Sequence, residues 1–371
     1  DRGVGMKTEL GSAGVGLVAL GRALGGCGER DWEGGDAAAD KPDKRPYGVF
    51  VPPMHILAQT ATEWAREVEK RSGGRLQITV YPGGTLTKAD QCWQGVLNGL
   101  SDLGMSCFAY TPGRFPLLAA LDLPPGWPDG LTATRVATKL AAQFAPVEIQ
   151  GAKLLYVHAH GPGILATKKP VRSLDDLKGM KIRMSGKTQG MLLKDLGAAQ
   201  VALSGQEIYQ ALQKGVVDAA EFSSPSCDWG MGFQEVTKYW AVPGWHQPAS
   251  VMGVMINKKV WDKLDPDLQE YLRYAAKAAA LEFTTKQYFD TVEFTQKFID
   301  KGIQITTYDD AVLDTIEELM VKHTQESAKA NPLFKKSIES QMKYRKAFAK
   351  WREMEGTFGF GFNPKIDLKL D

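Results

Sequence analysis

Between Pro266 and Lys301 the chain runs without an internal glycine or a further proline. About 36 residues at 1.5 Å each make a helix roughly 54 Å long. A single globular domain rarely needs such a helix, so it is expected to cross two packed lobes. The length of 371 residues agrees with two domains, or with one large one.

The rest of the chain alternates between the two backbone periods. A strand ends at Phe50-Val51, before Pro52-Pro53. Ile56, Leu57, Thr60, Trp64 and Val68 then recur at helical spacing, and Gly73-Gly74 closes that helix. Residues 76–80 alternate as a strand, 88–98 read as a helix, and 102–105 open a third strand. This order predicts an α/β fold with a largely parallel sheet. A second α/β unit is predicted over about 161–248, with strands at 164–167, 181–184, 201–203 and 216–220 and helices at 189–196 and 205–214. Strands are also expected at 154–158 and at 252–257, the latter returning to the first unit. Further helices are expected at 309–328 and 332–353, and residues 356–371 as an irregular strap.

Composition narrows the function. Lys and Arg exceed Asp and Glu by only +2, which leaves no electrostatic footprint for nucleic acid. No run of about 18 uninterrupted apolar residues reads as a membrane-spanning helix. The cysteines are Cys27, Cys92, Cys107 and Cys227, and no pair has the CxxC spacing of a zinc or redox site. Buried free thiols are the expected state. GxSxG, P-loop and HExxH motifs are absent, as is a Gly-rich dinucleotide turn after a strand. None of these signatures points to an enzyme, a class that α/β architecture alone leaves open, and no cofactor is expected.

The run LDDLKGMKIR at 174–183 resembles a motif of the solute-binding proteins of tripartite ATP-independent periplasmic (TRAP) transporters, of the C4-dicarboxylate-binding type. YPGGTL at 81–86 is similar to the family's YPxGxLG turn, LNGLSDLG at 97–104 to its xxGxxDxG, and ALQKGVVDAAE at 211–221 to its ALQxGxVDGxE. The resemblance runs in order over about 47–355 and implies two α/β lobes that close over a ligand. The lobes are expected as 47–160 plus 249–288 and 161–248 plus 289–355. It further implies a periplasmic protein that delivers a small organic acid to a small and a large integral-membrane permease subunit. Residues 1–46 are read as a leader and tether. From Met6 to Cys27 that segment resembles a lipoprotein signal, with Cys27 lipidated, although Glu9 and Arg22 interrupt its apolar part. The alternative is a tail with an incidental cysteine.

The resemblance makes Arg183 the carboxylate clamp. A guanidinium presents paired donors to two carboxylate oxygens and stays charged when desolvated. Glu221 and Phe222 follow the strand at 216–220 and are expected at the cleft, where Phe222 stands in place of the asparagine or tryptophan of many relatives. Trp245 opens WHQP at 245–248, similar to the GWHEP of the family's 2-oxo-acid binders. Gln247 stands where those proteins carry a glutamate, which weakens a hard-cation site, so no tightly bound metal is expected. His55, Phe108 and Tyr110 lie on loops expected to approach the cleft, and His160 at its mouth. His158 and His160 share a strand face, but no Cys, Asp or Glu nearby completes a metal site. Trp93 is expected in the core. The aromatic residues point to an acid with an indole or phenyl group; aliphatic 2-oxo acids and C4-dicarboxylates, or a sensing role with a separate signalling partner, are the alternatives.

Overall fold

The computed structural model describes residues 42–123, 127 and 129–355. The leader with Cys27 and the strap at 356–371 lie outside the described residues. The first strands are β1 (Asp43–Val49), β2 (Leu76–Tyr81), β3 (Leu103–Cys107) and β4 (Ala152–His160). Then come β5 (Leu165–Thr167), β6 (Lys181–Arg183), β7 (Ala199–Val201), β8 (Ala219–Ala220) and β9 (Tyr239–Val242). The last are β10 (Ser250–Asn257) and β11 (Gln304–Thr307).

One sheet runs β2-β1-β3-β10-β4 and the other β11-β9-β5-β8-β6-β7. β1 pairs in parallel with β2 and β3, as the alternation predicted. Both sheets are nevertheless mixed. β10 lies antiparallel to β3 and β4, and β5 antiparallel to β8 and β9. The physical reason for β10 is direction of travel. β4 carries the chain out toward the second sheet and β10 brings it back, so β10 must run against β4.

Burial follows the periodicity. The helix Ile56–Arg71 turns Ile56, Leu57, Ala61, Trp64, Ala65 and Val68 inward, one face at helical spacing. The strands bury Val49, Leu76, Leu103, Met105 and Val254 against it. β1 begins at Asp43, inside the stretch expected to be tether, because its backbone pairs with β2 from Asp43 onward. Residues 88–91 are not helical; that helix starts at Cys92 and ends at Gly99 in the left-handed region.

The helix Gly130–Glu148 has no counterpart in the sequence reading. Asp129 caps it by accepting a bond from the Thr132 N–H at 2.7 Å. Its inner face is mostly alanine (Ala133, Ala137 and Ala141, with Leu140 and Phe144), a weak apolar signal, and Pro146 lies inside it.

The long helix spans Pro266–Asp300, 35 residues. Its Phe283 ring lies 3.9 Å from that of His158 on β4, and its Phe298 ring 4.5 Å from Trp240 on β9. It therefore touches both lobes. The helix Asp310–Ala330 buries Val312 and Ile316 in the second lobe. The helix Pro332–Glu355 departs from the lobe expected for it. It returns to the first, where Ser337 Oγ donates to the Leu117 carbonyl at 2.8 Å and Gln341 Nε2 to that of Ala120 at 2.8 Å. Asn331-Pro332 separates the two helices and lets the chain change lobe.

The crossings between lobes touch backbone to backbone. Gly163 N–H donates to the Gln247 carbonyl at 3.1 Å. A Cβ on Gly244 would stand 1.7 Å from the Gly163 carbonyl oxygen. Gly244→Ala is expected to lower stability by about 3 kcal/mol, since backbone cannot yield as a side chain does. Urea unfolding measures this.

Candidate ligand-binding site

β6 and β8 are parallel neighbours, with Arg183 opposite Ala220. The Glu221 N–H donates to the Arg183 carbonyl at 3.1 Å, so the arginine and the glutamate leave the sheet together. Arg183 is 1% exposed. Its Nε donates to the Leu203 carbonyl at 3.0 Å, and its Nη1 to the Glu221 carbonyl at 2.6 Å and to Glu221 Oε1 at 2.9 Å. Ser185 donates to the same Oε1 from its backbone N–H at 2.8 Å and from its hydroxyl at 3.1 Å.

The bonds hold the guanidinium in place without using it up. Arg183 Nη2 is buried and has no partner. Glu221 Oε2 has none either, and lies 3.9 Å from His246 Nε2, whose two ring nitrogens are also unpartnered. Buried polar atoms are nearly always bonded, so such a group calls for an explanation.

Phe222 lies edge-on to His55, ring centroids 5.7 Å apart, and the Arg183 guanidinium sits 5.8 Å from its ring. His55 caps the helix Ile56–Arg71, its Nδ1 accepting from the Leu57 N–H at 3.1 Å and leaving Nε2 unpartnered. His160, at the end of β4, bonds the Ser223 hydroxyl through Nδ1 and leaves Nε2 unpartnered. Between the lobes is a cavity of about 10 Å³. Phe50, Leu57, Tyr110 and Met252 wall it from the first lobe, Ser185 and Phe222 from the second, and His160 and Gln247 from the crossings. The lobes touch: Gln206 Nε2 donates to the Phe50 carbonyl at 2.6 Å across the cleft.

The structure thus brings together Arg183, Glu221, Phe222, Tyr110, His55 and His160. It separates Phe108 and Trp245 from them. Phe108 faces Phe115 at 5.6 Å, within the cluster that holds Trp93, and fills the space over Gly253, where a Cβ would meet its ring at 2.4 Å. Trp245 packs with Tyr308, Val312 and Ile316 in the second lobe. Phe108 opens the 3-10 turn that follows Cys107, the last residue of β3, and falls behind the wall that Cys107 helps to form; Trp245 lies on the loop between β9 and β10.

Ser185 was missed by the sequence reading. A signal existed, since it stands two residues beyond Arg183 on the line of one strand face. Gln247, read there only as a lost cation ligand, donates to Asp122 Oδ2 at 3.2 Å and walls the cavity. Asp228, also unanticipated, accepts from the Ser223 N–H at 3.0 Å and so fixes the partner of His160. Among the described residues no group of three His, Cys, Asp or Glu side chains is arranged to hold a metal.

Electrostatics follows burial. Desolvation pushes His55 down to about 3, with His160 adding to it, and His160 down to about 4. His158 is lowered well below its usual range by burial. Burial also lowers His246, against an opposing pull from Glu221. Desolvation raises Asp122 to about 7 and Asp228 well above the carboxylate range. A histidine lowered by folding contributes stability that is present above its unfolded value of about 6.5 and lost as pH falls toward the folded one. The raised aspartates work oppositely, losing stability as pH rises. Four such histidines outweigh two aspartates, so stability is expected to fall between about pH 6.5 and pH 4. His160→Gln should reduce that slope by about 1.4 kcal/mol per pH unit. Urea titrations at several pH values would read it; an unchanged slope refutes the assignment.

The profile of the bacterial extracellular solute-binding protein family 7 matches residues 47–331. The chain belongs to that family. The solute-binding protein is 27% identical, over 78% of its own length and 80% of the other's, to a monocarboxylate 2-oxoacid-binding periplasmic protein of Nostoc. It is 28% identical to the 2,3-diketo-L-gulonate-binding periplasmic protein of Escherichia coli, over 74% and 85% of the two chains. A TRAP periplasmic solute-binding protein from Desulfovibrio salexigens shares 28% identity at a TM-score of 0.68, covering 82% of this chain and 97% of the other. A marine metagenome TRAP protein specific for aromatic acid ligands matches the fold at a TM-score of 0.74, with 23% identity over 81% and 99% of the chains. The solute-binding protein is accordingly a transport protein of the TRAP type with the two-lobed α/β fold, and not an enzyme. No helix among the described residues is long and apolar enough to cross a membrane.

Proposed function

We propose that the protein captures a small organic acid between its lobes in the periplasm, holds its carboxylate on Arg183, and hands it to a TRAP permease of a small and a large membrane subunit. The unpartnered Nη2 of the buried Arg183 carries this reading. An N–H pair left free beside a fixed guanidinium is what a carboxylate completes.

Phe50, Phe222 and Tyr110 favour an acid with an aromatic or otherwise apolar tail. A second reading, an aliphatic 2-oxo acid, is favoured by the polar wall of Ser185, His160 and Gln247 and by the Nostoc relative. A cavity of about 10 Å³ admits roughly one water. Either ligand therefore enters an open form, in which the Gln206–Phe50 contact is broken, and its binding energy shifts the balance toward closure.

A melting screen with phenylacetate, indole-3-acetate, pyruvate and succinate tests the ligand. At 100-fold excess over the dissociation constant the true class stabilises by about 2.7 kcal/mol. A shift with succinate and none with the aromatic acids rejects the aromatic tail; no shift with any carboxylate rejects the clamp. Anchoring through Cys27 belongs to the same proposal. Cys27→Ser should release the protein from membranes into the soluble periplasmic fraction, and unchanged fractionation rejects the anchor.

A further inference from the structure

Tyr156 and His158 are two apart on β4 and so share one face of the first sheet. Two helices cover that face. Trp64, from the helix Ile56–Arg71, lies 6.1 Å from Tyr156 ring to ring, and Phe283, from the long helix, 3.9 Å from His158. At one end the helices touch, where the Tyr271 hydroxyl donates to the Glu67 carbonyl at 3.2 Å. Beyond it the long helix presents Ala275, Ala278 and Ala279, whose methyl groups are too short to close the gap. A groove of about 710 Å³ remains between the helices, within the size range of small-molecule sites.

The floor of the groove is aromatic and carries unsatisfied polar atoms. His158 is 1% exposed, and neither of its ring nitrogens has a partner. Trp64 is 6% exposed, and its indole N–H has none. Polar atoms buried without partners are costly, and a ligand that bonds them removes the cost. Desolvation keeps the imidazole neutral, so it offers one N–H and one lone pair. At the rim, Glu63, Glu67 and Glu282 stand against Arg66 and Arg71, a net charge of −1.

We propose that this groove binds a neutral aromatic molecule bearing a hydroxyl, of the phenol class, with its ring among Trp64, Tyr156 and Phe283 and its hydroxyl on His158. A hydroxyl matches either imidazole nitrogen, since it accepts from the N–H or donates to the lone pair. A carboxylate only accepts, and the negative rim repels it. An ammonium suits the rim and the ring faces, but leaves the N–H donors of His158 and Trp64 unmet. None of the groove's residues walls the cavity between the lobes, so the site is distinct from the one built on Arg183.

Calorimetry of the full chain with 2-naphthol tests this. The probe is expected to saturate one site. Ala278→Trp should abolish the signal by filling the groove, with an unchanged melting temperature, since residue 278 is exposed. His158→Phe keeps a ring against Phe283 but removes both nitrogens, and should weaken 2-naphthol binding about tenfold or more. No saturable binding overturns the proposal, and so does binding that survives Ala278→Trp at full strength. Phenyltrimethylammonium binding more tightly than 2-naphthol overturns the hydroxyl class. A His158→Phe variant that binds 2-naphthol as well as the unaltered chain overturns the role of His158.

Discussion

Arg183→Lys is expected to weaken carboxylate binding by about 2–4 kcal/mol, roughly 30- to 1,000-fold, with little loss of fold. The charge survives the substitution, so any loss reports geometry. Arginine spends Nε on the Leu203 carbonyl and Nη1 on Glu221, and still has Nη2 to give. Lysine carries its donors on one atom and cannot hold both anchors while presenting a planar pair to a ligand. Arg183→Ala goes further. It strips Glu221, which is fully buried, of its guanidinium partner. Leaving one partner of a buried ion pair alone costs about 3–5 kcal/mol, so this variant should melt early before any ligand is added. Calorimetry of Arg183→Lys decides the matter: unchanged affinity for the best carboxylate removes the clamp from the account.

Glu221→Gln is expected to tighten ligand binding while destabilising the free protein. Arg183 and Glu221 are a neutral pair at 2.9 Å, so an arriving carboxylate leaves the space between the lobes with one negative charge too many. His246, 3.9 Å from Glu221 with both ring nitrogens unpartnered, is placed to balance it by taking up a proton. Burial keeps that imidazole neutral in the free protein; a second anion raises its proton affinity. In the unaltered protein, affinity should therefore fall as pH rises past the value for His246 in the complex. Glutamine keeps an oxygen for Arg183 Nη1 and for Ser185, but removes the charge. The free variant then holds an unbalanced guanidinium, at a cost of about 3 kcal/mol, and the ligand relieves it. Affinity should rise about tenfold or more, and the pH dependence should flatten. Calorimetry in two buffers of different ionisation enthalpy counts the proton directly. Weaker binding by the variant, with an unchanged proton count, would refute the charge balance.

Much of the fold is readable from local pattern. The helix Ile56–Arg71 and strand β2 came from periodicity and from their glycine and proline stops. The absence of such stops marked the long helix. LDDLKGMKIR at 174–183 places Arg183 at a strand end by pattern alone. The helix Gly130–Glu148 was invisible because alanine on its inner face barely differs from its surroundings. The final helix was assigned to the wrong lobe because apolar spacing tells which face is buried, not against what. The same limit applies to the aromatic residues. Phe108, Trp245, Phe222 and Tyr110 carry equal apolar signals; two ended in cores behind the sheets and two at the cavity.

Chain order and residue type determined the two α/β units, the helix that joins them, and the presence of an arginine at a strand end. Those depend on dihedral preference and burial period, which act over a few residues. Only the tertiary structure decided that Glu221 would stand against Arg183, that His246 would lie beside both, and that one guanidinium nitrogen would remain unbonded. These depend on how the ends of two neighbouring inner strands, with Arg183 and Glu221 38 positions apart in sequence, meet at one end of a sheet. Coulomb and hydrogen-bond energies there vary over tenths of an ångström, a distance no sequence pattern encodes.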